Sequence, residues 1–354
     1  MKIEINIENI LNLMDRPAFC VTGGVIQEAN QAARSRLIAV GTPVSPMICA
    51  GRAEYDAFAS GCLYLTLSVG GERCGASVSR LGEADVFVLD SSDTELGLRA
   101  FALAAQELRQ PLSQVMAIYD QLFPELETLE NTAQIARMNR SLHQLLRIVG
   151  NMSDARNSRA ARMELLDVTA VMQEIMDHAA QLCEGRNVTL SFSNHPASIH
   201  SLVDSQKLER AVYNLLSNAL KYTAPGGRID VQLKRRGNSV FFTVTDTGSP
   251  EGRGLSADAY TRFLREPGLD SSPGGLGLGL TLVLSAARAH EGVLLLDQTA
   301  DHGVRATLSF PIRQNAGTLR SPAVRFDYAG ERDHGLIELA ESLPYQAYSS
   351  KAME

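Results

Sequence analysis

K-L-E-R-A-V-Y-N-L-L-S-N-A-L-K-Y-T, Lys207–Thr223, is the stretch whose reading decides the rest of the chain. Leu208, Ala211, Val212, Leu215, Leu216, Ala219 and Leu220 recur at the i, i+3, i+4, i+7 spacing. That pattern predicts an amphipathic helix with one face built for burial. Asn214, Asn218 and Lys221 stand four and three residues apart, so a helix lines them up along another side. Two amides and an ammonium in a row suit a magnesium-bound phosphate chain, since amide oxygens ligate a hard cation and Lys neutralises phosphate as a point charge. A solvated polar face has the same composition, so the choice rests on the residues downstream of Thr223.

Three glycine-bearing segments stand there in order. V-T-D-T-G sets Asp246 at a strand end and Gly248 in a turn, where a carboxylate can accept from the exocyclic amine of adenine. G-G-L-G-L-G-L, Gly274 to Leu280, puts alternate glycines at a loop-to-helix junction, freeing backbone N–H groups and a helix N-terminus to face phosphate. G-V-R-A-T, Gly303 to Thr307, falls on a late strand. One glycine turn is a weak signal, but the ordered set is a strong one.

Composition sets the outer limits. The chain has 354 residues, enough for two or three domains, with 45% hydrophobic and 21% charged residues, as in a soluble globular protein. A formal net charge of -7 argues against nucleic acid as the main partner. The N-terminus carries acids where a signal peptide needs a basic and then an apolar run. No apolar stretch reaches membrane-spanning length. The five cysteines include no C-x-x-C pair, so reduced thiols in a cytoplasmic protein are expected.

The ordered set N-x-x-x-N-A-x-K-Y-T, D-x-G, G-x-G-x-G-L and G-x-x-x-T closely resembles the ATP-binding domain of sensor histidine kinases, of the GHKL superfamily shared with gyrase and MutL. The match runs from about Asp167 to Pro311. The resemblance implies ATP and Mg²⁺ as cofactors, with Asn218 as metal ligand, Asn214 supporting the metal and phosphate region, and Lys221 on phosphate. Tyr222 would lie against adenine, with Asp246 bonding its amino group beside Gly248. Gly275, Gly277, Leu278 and Gly279 would form the phosphate loop, and Thr307 would approach the base. Y-T-R-F-L-R, Tyr260 to Arg265, resembles the family's phenylalanine box. The gyrase-like branch has a Glu where this chain has Asn214; an amide is no general base for water, so rapid hydrolysis is not expected. Pro250 stands where the family's first glycine box has a second glycine, fixing φ there.

Upstream, Ser92-Asp93-Thr94-Glu95 reads as a capping box. Phe101, Ala105, Leu108, Leu112, Val115, Tyr119 and Leu122 form a heptad seam that Pro124 is expected to break. A second seam runs through Ile135, Met138, Leu142, Leu145, Val149 and Met152. Two such helices form an antiparallel hairpin that buries its stripe in a homodimer, as a four-helix bundle, or else against its own chain. A-A-Q-E-L-R-Q-P-L, Ala104 to Leu112, resembles the family's phosphoacceptor box H-E-L-R-T-P-L, with Gln106 at the histidine position and Glu107 matching. A carboxamide nitrogen is not nucleophilic, so self-phosphorylation there is not expected. His143, expected at a part-exposed flank of the bundle, is a candidate alternate acceptor. Gln110 is a candidate for orienting a water against an aspartyl phosphate on a partner.

The first ninety residues read as strand pair, short helices and three antiparallel strands, resembling a PAS sensor domain through P-A-F-C-V-T-G-G-V-I-Q-E-A-N-Q-A-A. The expected fold class is α+β multidomain: a PAS-like α/β domain over 1–91, a two-helix dimerisation hairpin over 92–160, and a GHKL-type α/β sandwich ATPase domain over 161–313. A C-terminal extension of open role occupies 314–354. The resemblance implies a cytoplasmic homodimer without a membrane span that binds Mg-ATP and works with a response regulator or another kinase. The alternative is a non-catalytic pseudokinase scaffold.

Overall fold

The computed structural model describes residues 11–90, 92–126, 131–155, 161–184, 186–248, 278–299, 303–314 and 333–349. The chain opens with β1 (Ala18–Thr22) and β2 (Val25–Ala29), joined through Gly23-Gly24, both at positive φ. Asn30 caps α1 (Gln31–Ser35), its Oδ1 accepting from Ala33 N–H at 2.9 Å, while its amide holds three carbonyls of the preceding segment. A single 3-10 turn, β3 (Ile48–Ala50) and α2 (Arg52–Asp56) lead to the meander β4 (Cys62–Val69), β5 (Glu72–Leu81) and β6 (Ala84–Leu89). β3 and α2 have no clear sequence signal, being too short to show a period.

Two long helices come next, α3 (Ser92–Leu126) and α4 (Thr132–Ala155). α3 continues through both Pro111 and Pro124 instead of ending at the second. A helical proline frees the carbonyl four residues earlier. Glu107 and Asp120 hold those two positions and both are exposed, where water can satisfy the freed groups. The helix starts at Ser92, but the capping-box side chains lie outside the described residues.

Each expected seam divides in two. Ala105, Met116 and Tyr119 are buried with Leu142, Val149 and Met152 between the helices or against the neighbouring unit. Leu108, Val115, Ile118 and Leu122 instead form an exposed stripe on α3, joined by exposed Met138 and Leu145 on α4. The single-stripe reading misses this because one helix here packs in two directions.

The rest is an α/β sandwich built from β7 (Glu164–Asp167), α5 (Val168–Leu182), β8 (Thr189–Ser193), β9 (His200–Val203) and α6 (Ser205–Tyr222). Then come β10 (Arg228–Arg236), β11 (Ser239–Asp246), α7 (Leu278–Ala289), β12 (Val293–Gln298), β13 (Val304–Pro311) and the one-turn α8 (His334–Glu338). Val240, Phe242 and Val244 on β11 and Ala306, Leu308 and Phe310 on β13 face α6 and α7 in one core. His290, after α7, bonds the Ala286 carbonyl through Nδ1 and accepts the Asp204 N–H at Nε2, 3.0 Å. Burial, only partly offset by its hydrogen bond and Asp204, keeps that imidazole below its ordinary pKa and neutral, as the acceptor role requires.

The two sheets are one. Among the described residues the strand order is β2-β1-β6-β5-β4-β12-β13-β11-β10-β8, with β3 beside β4 and a separate β7-β9 pair. The joint is antiparallel β4 on β12, Leu63 opposite Leu295, while β3 covers the other half of the same β4 edge. Val293 and Leu295 enter the N-terminal core, and Glu54 on α2 accepts from Ser309 Oγ at 2.8 Å. Gly51 and Gly61 permit the close approach: a Cβ on either would collide with Val293 or with the Leu296 carbonyl. The five cysteines are free thiols.

Candidate functional site

α6 forms because Asp204 caps it, Oδ1 accepting Lys207 N–H at 3.0 Å, and because its apolar positions repeat at helical spacing. It ends where Thr223 turns its hydroxyl back to the Ala219 carbonyl at 2.7 Å, before Pro225-Gly226-Gly227. Ala224 N–H then reaches the Gly248 carbonyl, 3.3 Å, tying the end of α6 to the turn after β11. This brings Asn218, Lys221 and Tyr222 to the same end of the sandwich as Asp246 and Gly248.

At that end the polar groups stay accessible. Asn218 and Lys221 are partly exposed, and Tyr222 is 56% exposed with the Lys221 ammonium 5.6 Å from its ring centre. Burial lowers the Lys221 pKa from its ordinary value, with Glu341 opposing and Arg147 adding to the shift. Asp246 is buried, and Gly248 N–H and Val304 N–H both donate to its Oδ1, at 2.8 and 3.2 Å. Burial raises its pKa against those backbone bonds.

Asn214 is different. It is 0% exposed, and the row of three expected from spacing is divided between two environments. Arg147 Nη2, from α4, donates to its Oδ1 at 3.3 Å. Its own amide donates to the Arg210 carbonyl at 2.8 Å and lies 3.5 Å from Glu338 Oε2. Gly279, at the start of α7, lies so near that an added Cβ would sit 2.6 Å from Asn214 Oδ1. Leu278 beside it is buried with Ala105, Val149 and Met152 of the hairpin.

The sequence does not say where the segment after Pro311 goes. It returns over α6 and α4. Glu338 is 1% exposed and pairs with Arg210 at 3.0 Å and Arg147 at 3.7 Å. Arg147 also pairs with Glu341 at 3.0 Å, and Arg210 with Asp154. Ser342 and Ser217 bond at 2.9 Å, Arg140 and Gln144 hold the Ala340 carbonyl, and Asn139 holds that of Tyr348. Arg147, Arg210, Glu338 and Glu341 escape a motif reading. The available signal is a lone Glu338 inside the apolar run L-I-E-L-A, which marks a charge buried with a partner.

Two expectations need correction. His143 is not at an exposed flank. It is 2% exposed, with Nδ1 2.9 Å from the Asn139 carbonyl and the Tyr348 ring edge-on at 5.1 Å, because the C-terminal segment covers α4 there. Thr307 does not share a face with Asp246. It stands opposite Thr243, their hydroxyls 3.1 Å apart, on the sheet face turned away from α6, because strand side chains alternate. Gln106, Glu107 and Gln110 are exposed on α3, and Arg109 bonds Ser153 at 3.1 Å. Gly275, Gly277, Pro250 and the Tyr260 to Arg265 segment lie outside the described residues.

Residues 203–314 match the family described as histidine kinase-, DNA gyrase B- and HSP90-like ATPase. Sporulation kinase B of Bacillus subtilis is 28% identical over 214 residues, covering 59% of this chain and 48% of that kinase. Sensor histidine kinase RppB of Synechocystis is 27% identical over 220 residues, covering 60% of this chain and 48% of RppB. Residues 203–314 thus carry a histidine kinase-like ATPase match, and the chain is similar to sensor histidine kinases over about 60% of its length. It spans about half the length of those two relatives. The crystal structure of full-length ShkA in complex with AMPPNP is 22% identical with a TM-score of 0.49, covering 62% of this chain and 47% of that one.

For a kinase-family ATPase domain, the donor set fits its nucleotide at one end. Asn218, Lys221, Tyr222 and Asp246 offer an amide oxygen, an ammonium, an aromatic face and a carboxylate at one end of the sandwich. Asn214 is instead engaged by Arg147 of α4 and the Arg210 carbonyl, with Glu338 of the C-terminal segment 3.5 Å away. No helix among the described residues is long and apolar enough to cross a membrane.

Proposed function

We propose that this chain binds Mg-ATP at the open end of α6 and does not phosphorylate itself at the usual bundle position. The observation that carries the reading is the bond from Ala224 to Gly248, which assembles the end of α6 and the end of β11 at one place. Asp246 Oδ2 would accept from the adenine amine, Tyr222 would cover the ring, Asn218 would ligate Mg²⁺ and Lys221 would neutralise phosphate. Gly275, Gly277, Leu278 and Gly279 would line the phosphate loop. Bound nucleotide supplies a phosphoryl donor; the chain's part is positioning and charge neutralisation. Gln106, a carboxamide on an exposed helix face, cannot accept from it.

The exposed stripe of Leu108, Val115, Ile118 and Leu122, with Met138 and Leu145, is what a second copy would cover, giving a homodimeric four-helix bundle. The N-terminal six-stranded unit would serve as a PAS-like sensor domain, its sheet joined to the ATPase sheet. A response regulator or an intact kinase is the partner, with Gln110 exposed near the box and available to orient water. One observation favours the second reading, a pseudokinase scaffold: the sealed Asn214 end. There the C-terminal segment fastens the hairpin to the ATPase domain instead of leaving that domain able to swing.

The test uses purified full chain and γ-labelled ATP, alone and with candidate receiver domains, comparing wild type with Asn218→Ala and His143→Ala. Nucleotide should be retained by wild type with no label on the chain. Label on wild type that both variants lose would establish an active kinase with His143 as moved acceptor and overturn the proposal.

A further inference from the structure

Resting on the proposed nucleotide site, we infer that Glu338 is a built-in anion at its phosphate end. The resting chain would then take adenosine diphosphate in preference to triphosphate, and triphosphate would enter only as segment 333–349 leaves.

The argument starts from charge. Asn214 and Gly279 adjoin, and the glycine loop that ends at Gly279 is the proposed phosphate loop. Two guanidiniums converge on that place, Arg147 from the hairpin and Arg210 from α6. Unpaired arginines there would form a ready phosphate cradle. Instead, each is matched by carboxylates. Arg210 meets Glu338 and Asp154, and Arg147 meets Glu338 and Glu341. Glu338 adds its second oxygen toward the Asn214 amide, 3.5 Å away. Burial alone would push the Glu338 carboxyl up; Arg210, His334 and Arg147 outweigh it and hold it below its ordinary range. The carboxylate is therefore charged and takes the place of a phosphate oxygen. Glu341 adds a second negative charge that Lys221 senses.

A terminal phosphate brought to this end meets two carboxylates and arginines already committed. In a buried setting such like-charge approach is poorly screened. A diphosphate stops short of it. For a triphosphate to fit, Glu338 has to leave the arginines. It cannot leave alone, because its segment is held as a unit: Tyr348 is fully buried and its hydroxyl donates to the Leu336 carbonyl at 2.7 Å. His178 lies 2.9 Å from Asp333, and Ser217 bonds Ser342. Exchange of one anion for another is thus coupled to release of the whole segment from α4 and α6. That release also uncovers His143 and unfastens the hairpin from the ATPase domain.

The test measures binding of Mg-ADP and of a non-hydrolysable Mg-ATP analogue to the full chain, with hydrogen exchange across 333–349 in each state. Wild type should bind the diphosphate more tightly, and only the triphosphate analogue should speed exchange in that segment. Glu338→Gln removes the carboxylate shared by both arginines, leaving Arg210 only Asp154 and Arg147 only Glu341 among those acids, and should shift the triphosphate-to-diphosphate preference about tenfold toward triphosphate. Tyr348→Ala, which loosens the segment while keeping Glu338, should shift it the same way. An unchanged ratio in both variants, with exchange in wild type the same for both nucleotides, overturns the inference and leaves nucleotide binding standing. Binding of neither nucleotide by wild type overturns the nucleotide reading, and this inference with it.

Discussion

The two ends of α6 carry similar chemistry in opposite surroundings. Along its body, Arg210, Asn214 and Ser217 are buried under a returning C-terminal segment and a bundle helix. Toward its end, Asn218, Lys221 and Tyr222 remain accessible beside Asp246 and Gly248. An amide at each end can ligate or bond equally well. What separates them is which partner the fold has already supplied. The sealed end satisfies its charges internally and so contributes to holding two units together. The open end keeps Asn218, Lys221 and Tyr222 accessible. A residue type marks a capacity, and packing decides whether it goes to structure or to binding.

The largest effect should come from breaking the sealed end. Arg210→Met removes the buried guanidinium that pairs with Glu338 and Asp154, leaving Glu338 to Arg147 and His334, and removing one side of a buried pair costs about 3–5 kcal/mol. Denaturant unfolding should show that loss, whereas the same substitution at Lys221 should leave stability within about 1 kcal/mol. Equal losses at both sites would erase the contrast between the ends.

A smaller, pH-dependent effect should mark the same seal. His334 Nδ1 lies 3.4 Å from Glu209 and Nε2 3.7 Å from Glu338. Burial works against its charge, but the Glu209 bond and the charges of Glu338 and Glu209 prevail over Arg210, so its pKa is raised from 6.5. His178 and Asp333 lie on the neighbouring edge. A raised folded pKa stabilises fully below the unfolded value and is lost as pH rises through the folded one. The melting-temperature gap between wild type and His334→Gln should therefore be widest near about pH 6 and narrow toward about pH 8. A gap that widens with pH would mean that His334 is neutral in the seal.

The smallest effect belongs to Thr307. Its hydroxyl meets Thr243 on the outer sheet face, so Thr307→Val should change stability by about 1 kcal/mol or less and leave nucleotide affinity alone. A clear loss of affinity would place it back at the base.

Much of this is legible in the chain. Lys207–Thr223 shows its helix through spacing alone, and strands such as Leu63 to Val69 show theirs through alternation. The motif order points to the family before any geometry. Sequence spacing misplaces Thr307 because a glycine-to-threonine interval does not say which sheet face the threonine takes. The hairpin seams look like single stripes because spacing cannot tell a helix with one neighbour from a helix with two. His143 and Asn214 escape for a third reason. Their environment comes from residues 333–349, far along the chain, and no local pattern at either position encodes what returns to cover it. The β4–β12 joint is likewise non-local: each strand reads as a strand, but neither names its neighbour.

The most direct test of nucleotide binding at the open end is a titration with a fluorescent adenine nucleotide in the presence of Mg²⁺, comparing wild type with Asn218→Ala. Wild type should bind, and the variant should bind on the order of tenfold more weakly while melting at the same temperature. No binding by wild type, or equal binding by the variant, would contradict the assignment of the open end of α6 to nucleotide.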